Sequence, residues 1–127
     1  MLNEFGSRTT FNKISDTYVV SVPNPMSLDA LAILEKDLLS NLESDFAAHV
    51  IFDFSAVQIL DSTEFKELYK QAKVIALMGV ESYFVSLNPC VVAALVQTNI
   101  KIDSVTSCLC IQDALDLIQK NKNEAKA

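Results

Sequence analysis

Apolar positions along this chain recur with two periods. Short continuous or alternating apolar runs predict strands, and apolar positions three and four apart predict helices. Thr9–Ile14 and Thr17–Val22 are β-rich runs parted only by Ser15 and Asp16. That spacing predicts a hairpin, although neither linking residue is Gly or Asn. Pro23 and Pro25 stop the second run, because proline has no N–H to give to a ladder. Ser27 stands where a helix cap is wanted, and Leu28, Leu31, Leu34, Leu38, Leu39 and Leu42 follow at helical spacing to about Glu43. Asp29, Glu35, Lys36 and Asn41 occupy the opposite face. The leucine stripe reads most simply as core, with a partner groove as the alternative.

From His49 the chain reads HVIFDFSAVQILDSTEF. Val50, Ile51, Phe52 and Phe54 form a β-branched and aromatic run, as a strand buried on both faces would. Val57, Ile59 and Leu60 are expected to follow the sheet edge. Asp61 stands three residues before Glu64 at the head of an apolar-periodic segment, the spacing of an N-cap and a third helical residue. Phe65, Leu68, Tyr69, Ala72, Ile75 and Ala76 make the inward stripe of that helix; Lys66, Glu67, Lys70, Gln71 and Lys73 make its exposed side. Gly79 follows where a left-handed helix end is wanted.

Val80–Ser86 predicts the next strand. Asn88 then caps, and Pro89 takes the first helical position, where its missing N–H costs nothing. Val91, Val92, Ala94, Leu95 and Val96 make this helix strongly apolar, and Asn99 ends it. Ile100–Ser107 reads as a connector, Cys108–Ile111 as a last strand, and Gln112–Lys122 as a final helix with Leu115 and Ile118 inward and Ala114 and Leu117 beside them. The order β-β-α-β-α-β-α-β-α predicts an α/β fold. Its mostly parallel central sheet has about five strands, opens with an N-terminal antiparallel hairpin and is covered by about four helices. One domain spans residues 9–122, with residues 1–8 and 123–127 expected to be flexible.

With 127 residues, half of them hydrophobic, the chain has enough material for one domain with a real core. The apolar excess points to self-association as well. A net charge of −6 speaks against nucleic-acid binding through a broad basic surface. No apolar run approaches the ~18 residues of a membrane span. The opening MLNEFGSRTT has an acidic residue and no apolar h-region, so a cytoplasmic location without membrane association is expected. Cys90, Cys108 and Cys110 fit no metal pattern, and their odd number suits a reducing compartment. Cys108 and Cys110, two apart, would share one strand face as small hydrophobes. Cys90 follows Pro89 at a helix start, where a thiolate is favoured; an unreactive, half-buried thiol is the simpler reading.

The Asp61-Ser62-Thr63-Glu64 junction admits two readings. One is a helix cap and nothing more. The other is a phosphorylation switch at Ser62. A phosphate carries about −1.5 to −2 charges; free helix N–H groups would hold it, while Asp61 and Glu64 would repel it. An enzyme is poorly supported. His49 is the only histidine, and Gly6 and Gly79 are the only glycines, so no phosphate-binding glycine loop exists. Asp53 and Asp61 have no firm mutual geometry, which leaves Cys90 as the remaining nucleophile. No catalytic residue, cofactor or metal is expected.

Three stretches carry a family resemblance: VIFDFSAVQILDS (Val50–Ser62), ALMGVESYFVSLNP (Ala76–Pro89) and VVAALVQTNI (Val91–Ile100). From about Thr10 to Lys120 the chain resembles the STAS domain of bacterial anti-sigma-factor antagonists, and within that family the single-domain stressosome scaffolds. The resemblance implies that Ser62, following the aspartate, is phosphorylated by a dedicated serine kinase, with Thr63 as a minor site. Many antagonists continue with a second Ser and then Gly; Thr63 and Glu64 stand here instead, which moves the resemblance towards the stressosome branch. That branch often has a threonine inside the helix after the proline. The matching Ala94 has no hydroxyl, which argues against a second switch.

What the resemblance implies is a non-catalytic scaffold, a bacterial stress-response phosphoprotein of signal transduction. Unphosphorylated, it would join sensor STAS paralogues of the RsbR type and hold a serine switch kinase of the RsbT type. Phosphorylation would release the kinase, and a phosphatase would reset the scaffold. A homodimer and a larger hetero-assembly follow. Partner contacts are expected at Asp61, Ser62, Thr63 and Glu64 and at Asn88, Pro89 and Cys90, brought together at the C-terminal edge of the parallel sheet, where binding sites collect. The same fold leaves two alternatives: a free anti-sigma-factor antagonist, or a STAS subunit of a lipid or anion transport complex.

Overall fold

The computed structural model describes residues 11–59, 61–97 and 103–126, without the side chains of residues 94, 95, 97 and 126. The expected loose start before Thr9, the edge position of Leu60 and the Asn99 helix end lie outside the described residues. Five strands line up in chain order: β1 (Phe11–Ile14), β2 (Thr17–Ser21), β3 (His49–Asp53), β4 (Glu81–Val85) and β5 (Val105–Cys108). β1 runs antiparallel to β2, and every later neighbour is parallel. The helices are α1 (Leu28–Ser44), α2 (Ser62–Ala76), α3 (Pro89–Gln97) and α4 (Ile111–Lys126). This is the β-β-α-β-α-β-α-β-α order that the sequence predicts.

Successive strand residues face opposite sides, and the sheet therefore builds two cores. Tyr18, Val20, Val50, Phe52 and Phe84 meet the α1 leucines and Phe65 of α2 on one side. Val19, Ile51, Tyr83 and Val85 meet Ala114 and Ile118 of α4 on the other. Leu31, Leu34, Leu38 and Leu42 are all buried and Leu39 packs against them, so the leucine stripe is core except at its first member, Leu28, which is exposed. Gln71, expected on the exposed side of α2, is buried. It stands beside Leu68, Ala72 and Ile75 on the inward arc, and its Nε2 donates to the Leu31 carbonyl of α1 (2.8 Å). The amide thus joins the two helices that an apolar side chain there would only press together.

The hairpin forms because Ser15 takes the positive φ (57°) that a two-residue turn needs and that Gly or Asn would more often supply. At the far end of α2, Gly79 is left-handed (φ 85°). Its N–H donates to the Ala76 carbonyl and the Val80 N–H to the Ile75 carbonyl, the paired bonds of a Schellman helix end.

The last strand falls earlier than the sequence predicts. β5 is Val105–Cys108, not Cys108–Ile111, because it pairs along β4 from Ser82↔Val105 to Val85↔Cys108 and ends where β4 ends. Cys108 closes the strand and Cys110 lies in the turn before α4, so the two thiols do not share a strand face. Burial pushes the Cys108 thiol above its ordinary pKa, while Cys110 is exposed. α4 continues about a turn past the expected Lys122 to Lys126. Side-chain bonds four residues apart, Gln112 to Asp116 (2.8 Å) and Gln119 to Asn123 (3.2 Å), support it.

A polar network closes the N-terminal edge of the parallel strands. The Asp16 carbonyl accepts the N–H groups of Ala48 (2.8 Å) and His49 (3.3 Å). Lys122 of α4 reaches the Asp16 carboxylate at 2.8 Å. The His49 ring lies between Asp16 (Nδ1, 3.6 Å) and Glu81 (Nε2, 3.2 Å). The Lys122 ammonium holds the Asp16 carboxyl below its ordinary pKa. A carboxyl lowered in the folded state adds stability above its unfolded pKa of about 3.9, and that contribution is lost as pH falls through the folded value. Lys122→Ala is therefore expected to cost about 0.5 kcal/mol at neutral pH, with the gap from the parent chain closing below about pH 4. Urea unfolding at both pH values measures this; a gap unchanged by acid would remove Asp16 from the account.

Candidate functional site

β3 ends at Asp53 and β4 at Val85, and the loops leaving them open α2 and α3 from neighbouring strands. The first loop turns at once. Asp53 Oδ1 accepts the Ser55 N–H (3.0 Å) and Oδ2 accepts the Ser55 hydroxyl (3.1 Å), a side-chain-closed turn of the kind aspartate favours. Phe54 donates its N–H to the Val85 carbonyl (3.0 Å), and Val57 donates to the Phe54 carbonyl (2.9 Å). Val57 and Ile59 lie in the loop after this turn and form no strand along the sheet edge, the course that the apolar pattern suggested. Val57 is buried, whereas Ile59 is 85% exposed.

Asp61 then caps α2. Its Oδ1 accepts the Thr63 N–H at 2.6 Å and its carbonyl accepts the Phe65 N–H at 2.9 Å. Ser62 is the first helical residue and half-buried; Thr63 is exposed and Glu64 half-buried. Phe65 is fully buried, 6.5 Å from the Phe54 ring and 5.7 Å from the Phe84 ring. The chain around Ser62 is thereby pinned to the sheet three residues further on, and the serine stands at the rim.

α3 starts as the sequence predicts. Asn88 Oδ1 accepts the Cys90 N–H (2.8 Å), and the Asn88 carbonyl accepts the Val92 N–H (3.0 Å). Pro89 and Cys90 are exposed. Ser86 has a positive φ of 63°, and its N–H donates to the Leu109 carbonyl (3.2 Å), which ties this loop to the one after β5.

A pocket of about 310 Å³ opens beside the junction. Asp61 and Glu64 form one wall, Gln58 and Ile59 the next, and Asn24, Pro25 and Met26 of the β2–α1 loop the third. Asn88, Pro89 and Cys90 are not among its walls. In the sequence Pro25 signals a strand stop and Ile59 an edge position, and neither signals this wall. His49 lies at the opposite end of β3 from this site, bound into the Asp16 network. Ala94 lies on α3, but its side chain is outside the described residues.

Chemically, the junction offers a hydroxyl at a helix start, where N–H groups without intrahelical acceptors favour added negative charge. Asp61, the nearest carboxylate in sequence, is engaged in capping. Among the described residues, no cluster of His, Cys, Asp and Glu suits a metal ion, and no helix is long and apolar enough to cross a membrane.

A hairpin-led parallel sheet, with a capped serine helix leaving its C-terminal edge, defines a small α/β domain with its exposed chemistry at one rim. The STAS domain model matches residues 9–114, and the chain belongs to the STAS family. Among curated proteins no match to the sequence is found. A serine-to-glutamate variant of RsbS from Moorella thermoacetica is similar with a TM-score of 0.75 and 22% identity, covering 94% of this chain and 99% of that one. The Bacillus cell fate determinant SpoIIAA in its phosphorylated form gives 0.61 at 9% identity, covering 87% and 99%. The murine anion transporter Slc26a9 gives 0.71 at 17% identity, covering 86% of this chain and 18% of that one. At these identities the likenesses show the shared fold.

The cap itself is testable. Asp61→Ala is expected to lower stability by about 1 kcal/mol, and Asp61→Asn by only a few tenths, because asparagine keeps the accepting oxygen. Equal losses in urea unfolding would mean that the carboxylate charge, and not the cap bond, carries the effect.

Proposed function

We propose that this STAS protein is a non-catalytic scaffold that holds a serine switch kinase and lets it go when Ser62 is phosphorylated. The observation that carries the reading is the placement of Ser62. It is the first residue of α2, beside a capping aspartate, on a rim held by Phe65. A phosphate added there changes the surface charge by about −1.5 to −2 and finds helix N–H groups to receive it. The fold therefore survives modification while the docking surface changes.

The names of two similar structures support the same direction: one is RsbS with a serine replaced by glutamate, and another is SpoIIAA in a phosphorylated form. A further similar structure belongs to a description of the stressosome, a signal integration and transduction hub. On this reading the partners are a sensor-bearing STAS paralogue, the kinase and a phosphatase, in a cytoplasmic hetero-assembly. Kinase contacts extend from Asp61–Glu64 to the Ile59 pocket and to the Asn88–Pro89–Cys90 turn. Thr63, exposed beside Ser62, is a minor acceptor. The likeness to Slc26a9 favours a second reading, a transport-associated STAS subunit, which predicts co-purification with membrane transport components.

Ser62→Ala is expected to retain the kinase permanently, and Ser62→Asp to weaken retention by about tenfold in a pull-down or calorimetric titration. Equal kinase binding by the two variants would contradict the switch.

A further inference from the structure

The outer face of α2 differs in charge from the rest of the molecule. The chain carries sixteen acidic and ten basic residues, yet three of its lysines, Lys66, Lys70 and Lys73, line one groove of about 370 Å³. Tyr69, Val74 and Leu77 complete the lining. Leu77 is 90% exposed. The Tyr69 ring is held in place, since its hydroxyl accepts the N–H groups of Asp103 (2.9 Å) and Ser104 (3.2 Å). Lys73 stands 5.7 Å from the centre of that ring. The groove therefore has a fixed aromatic wall, an apolar end and a cationic rim.

Ser62 belongs to the same stripe. Residues 62, 66, 70, 73 and 77 follow one another at three- and four-residue steps along a single helix face, and Tyr69 lies three residues from Lys66 and four from Lys73 on the same face. Lys66 lies four residues from Ser62, a separation that puts Cβ atoms about 5–6 Å apart. The serine thus stands one turn before the groove on the same helix face. Glu67, 3.7 Å from Lys70, offsets one of the three positive charges, which leaves about two. A phosphate of about −1.5 to −2 at Ser62 stands one turn from Lys66 and offsets its charge most; Lys70 and Lys73 lie about 12 and about 16 Å along the helix axis from it, where screening weakens the effect.

We propose that this stripe is the docking surface for an acidic segment of the partner kinase, with an apolar side chain of that segment seated on Tyr69, Val74 and Leu77. Phosphorylation of Ser62 weakens the hold on the segment by offsetting Lys66 at the near end of the stripe, without moving the helix. The release step rests on the function proposed above; the docking surface rests on the groove alone. Charge complementarity selects the occupant. A chain of net charge −6 attracts an acidic segment only where cations gather, and among the described residues this groove gathers three.

The probe is a fluorescein-labelled helical peptide of glutamate and leucine, with leucine once per turn, beside a twin in which lysine replaces glutamate. Fluorescence anisotropy at about 50 mM salt, where surface charges are weakly screened, reads binding. The parent chain is expected to bind the glutamate peptide at least about tenfold more tightly than the lysine twin. Lys66→Glu/Lys73→Glu should lose about tenfold, and Ser62→Glu about threefold. Lys36→Glu/Lys120→Glu makes the same change in net charge on other helices and should stay within about twofold. Leu77→Ala, at an exposed site that folding does not need, should weaken binding without altering its salt dependence.

Equal losses in the two lysine pairs, no preference for the glutamate peptide, or binding instead to phosphatidylserine vesicles would each overturn the docking surface. These outcomes are separable from the kinase switch. A chain that retains its kinase through Ser62 but ignores both peptides loses this inference only. A chain that binds the peptide through the stripe but retains no kinase loses the proposed function and keeps the groove.

Discussion

The packing of four phenylalanine rings sets the geometry of the functional rim. Phe84 of β4 touches Phe52 of β3 at 5.4 Å, Phe54 of the following loop at 5.0 Å and Phe65 of α2 at 5.7 Å between ring centres. All four are buried. Edge and tilted aromatic pairs contribute about 0.5–1.5 kcal/mol each beyond the area they bury. The cluster ties two parallel strands to the start of one helix. Asp61 and Ser62 take their positions from it, since the Phe65 anchor leaves the capped turn little freedom. The rim is in this sense a consequence of the core beneath it.

The two ends of the sheet divide their tasks. At the N-terminal edge, Asp16, His49, Glu81 and Lys122 bind the hairpin turn, two strands and α4 into one polar network. Burial and the neighbouring Glu81 raise the Tyr83 phenol to about 12, so that end keeps its uncharged phenol at any ordinary pH. At the C-terminal edge the loops carry an exposed isoleucine, a capped serine and a pocket. α2 links the two, with its apolar face in the core, its lysines outward and Gly79 ending it at the opposite edge from Ser62. A charge placed at Ser62 lies on the same face as those lysines.

Most of the fold was legible because its signals were local. The Leu31–Leu42 stripe, Asp61 before Glu64, Gly79 after the second helix and Asn88-Pro89 each name one local conformation, and the structure places a helix or a helix end at each. What failed were features set by tertiary pairing. β5 takes its bounds from the length of β4, so Cys108 closes the strand and Cys110 falls outside it. Gln71 lies inside because a carbonyl of α1 accepts its amide, a partner that helical periodicity does not reveal. The Ser62 helix start was visible from the cap spacing. The wall formed by Asn24, Pro25 and Met26 was not, because it joins positions more than thirty residues from Asp61.

The proposed switch makes the hydroxyl at the head of α2 a phosphate acceptor in the cell. The direct measurement is intact mass and peptide sequencing of the protein recovered from resting and stressed cells. One added phosphate on Ser62, rising with stress, is expected. Protein recovered whole and unmodified in both states, or phosphate confined to residues away from α2, would contradict it and leave Asp61-Ser62-Thr63-Glu64 as a helix cap alone.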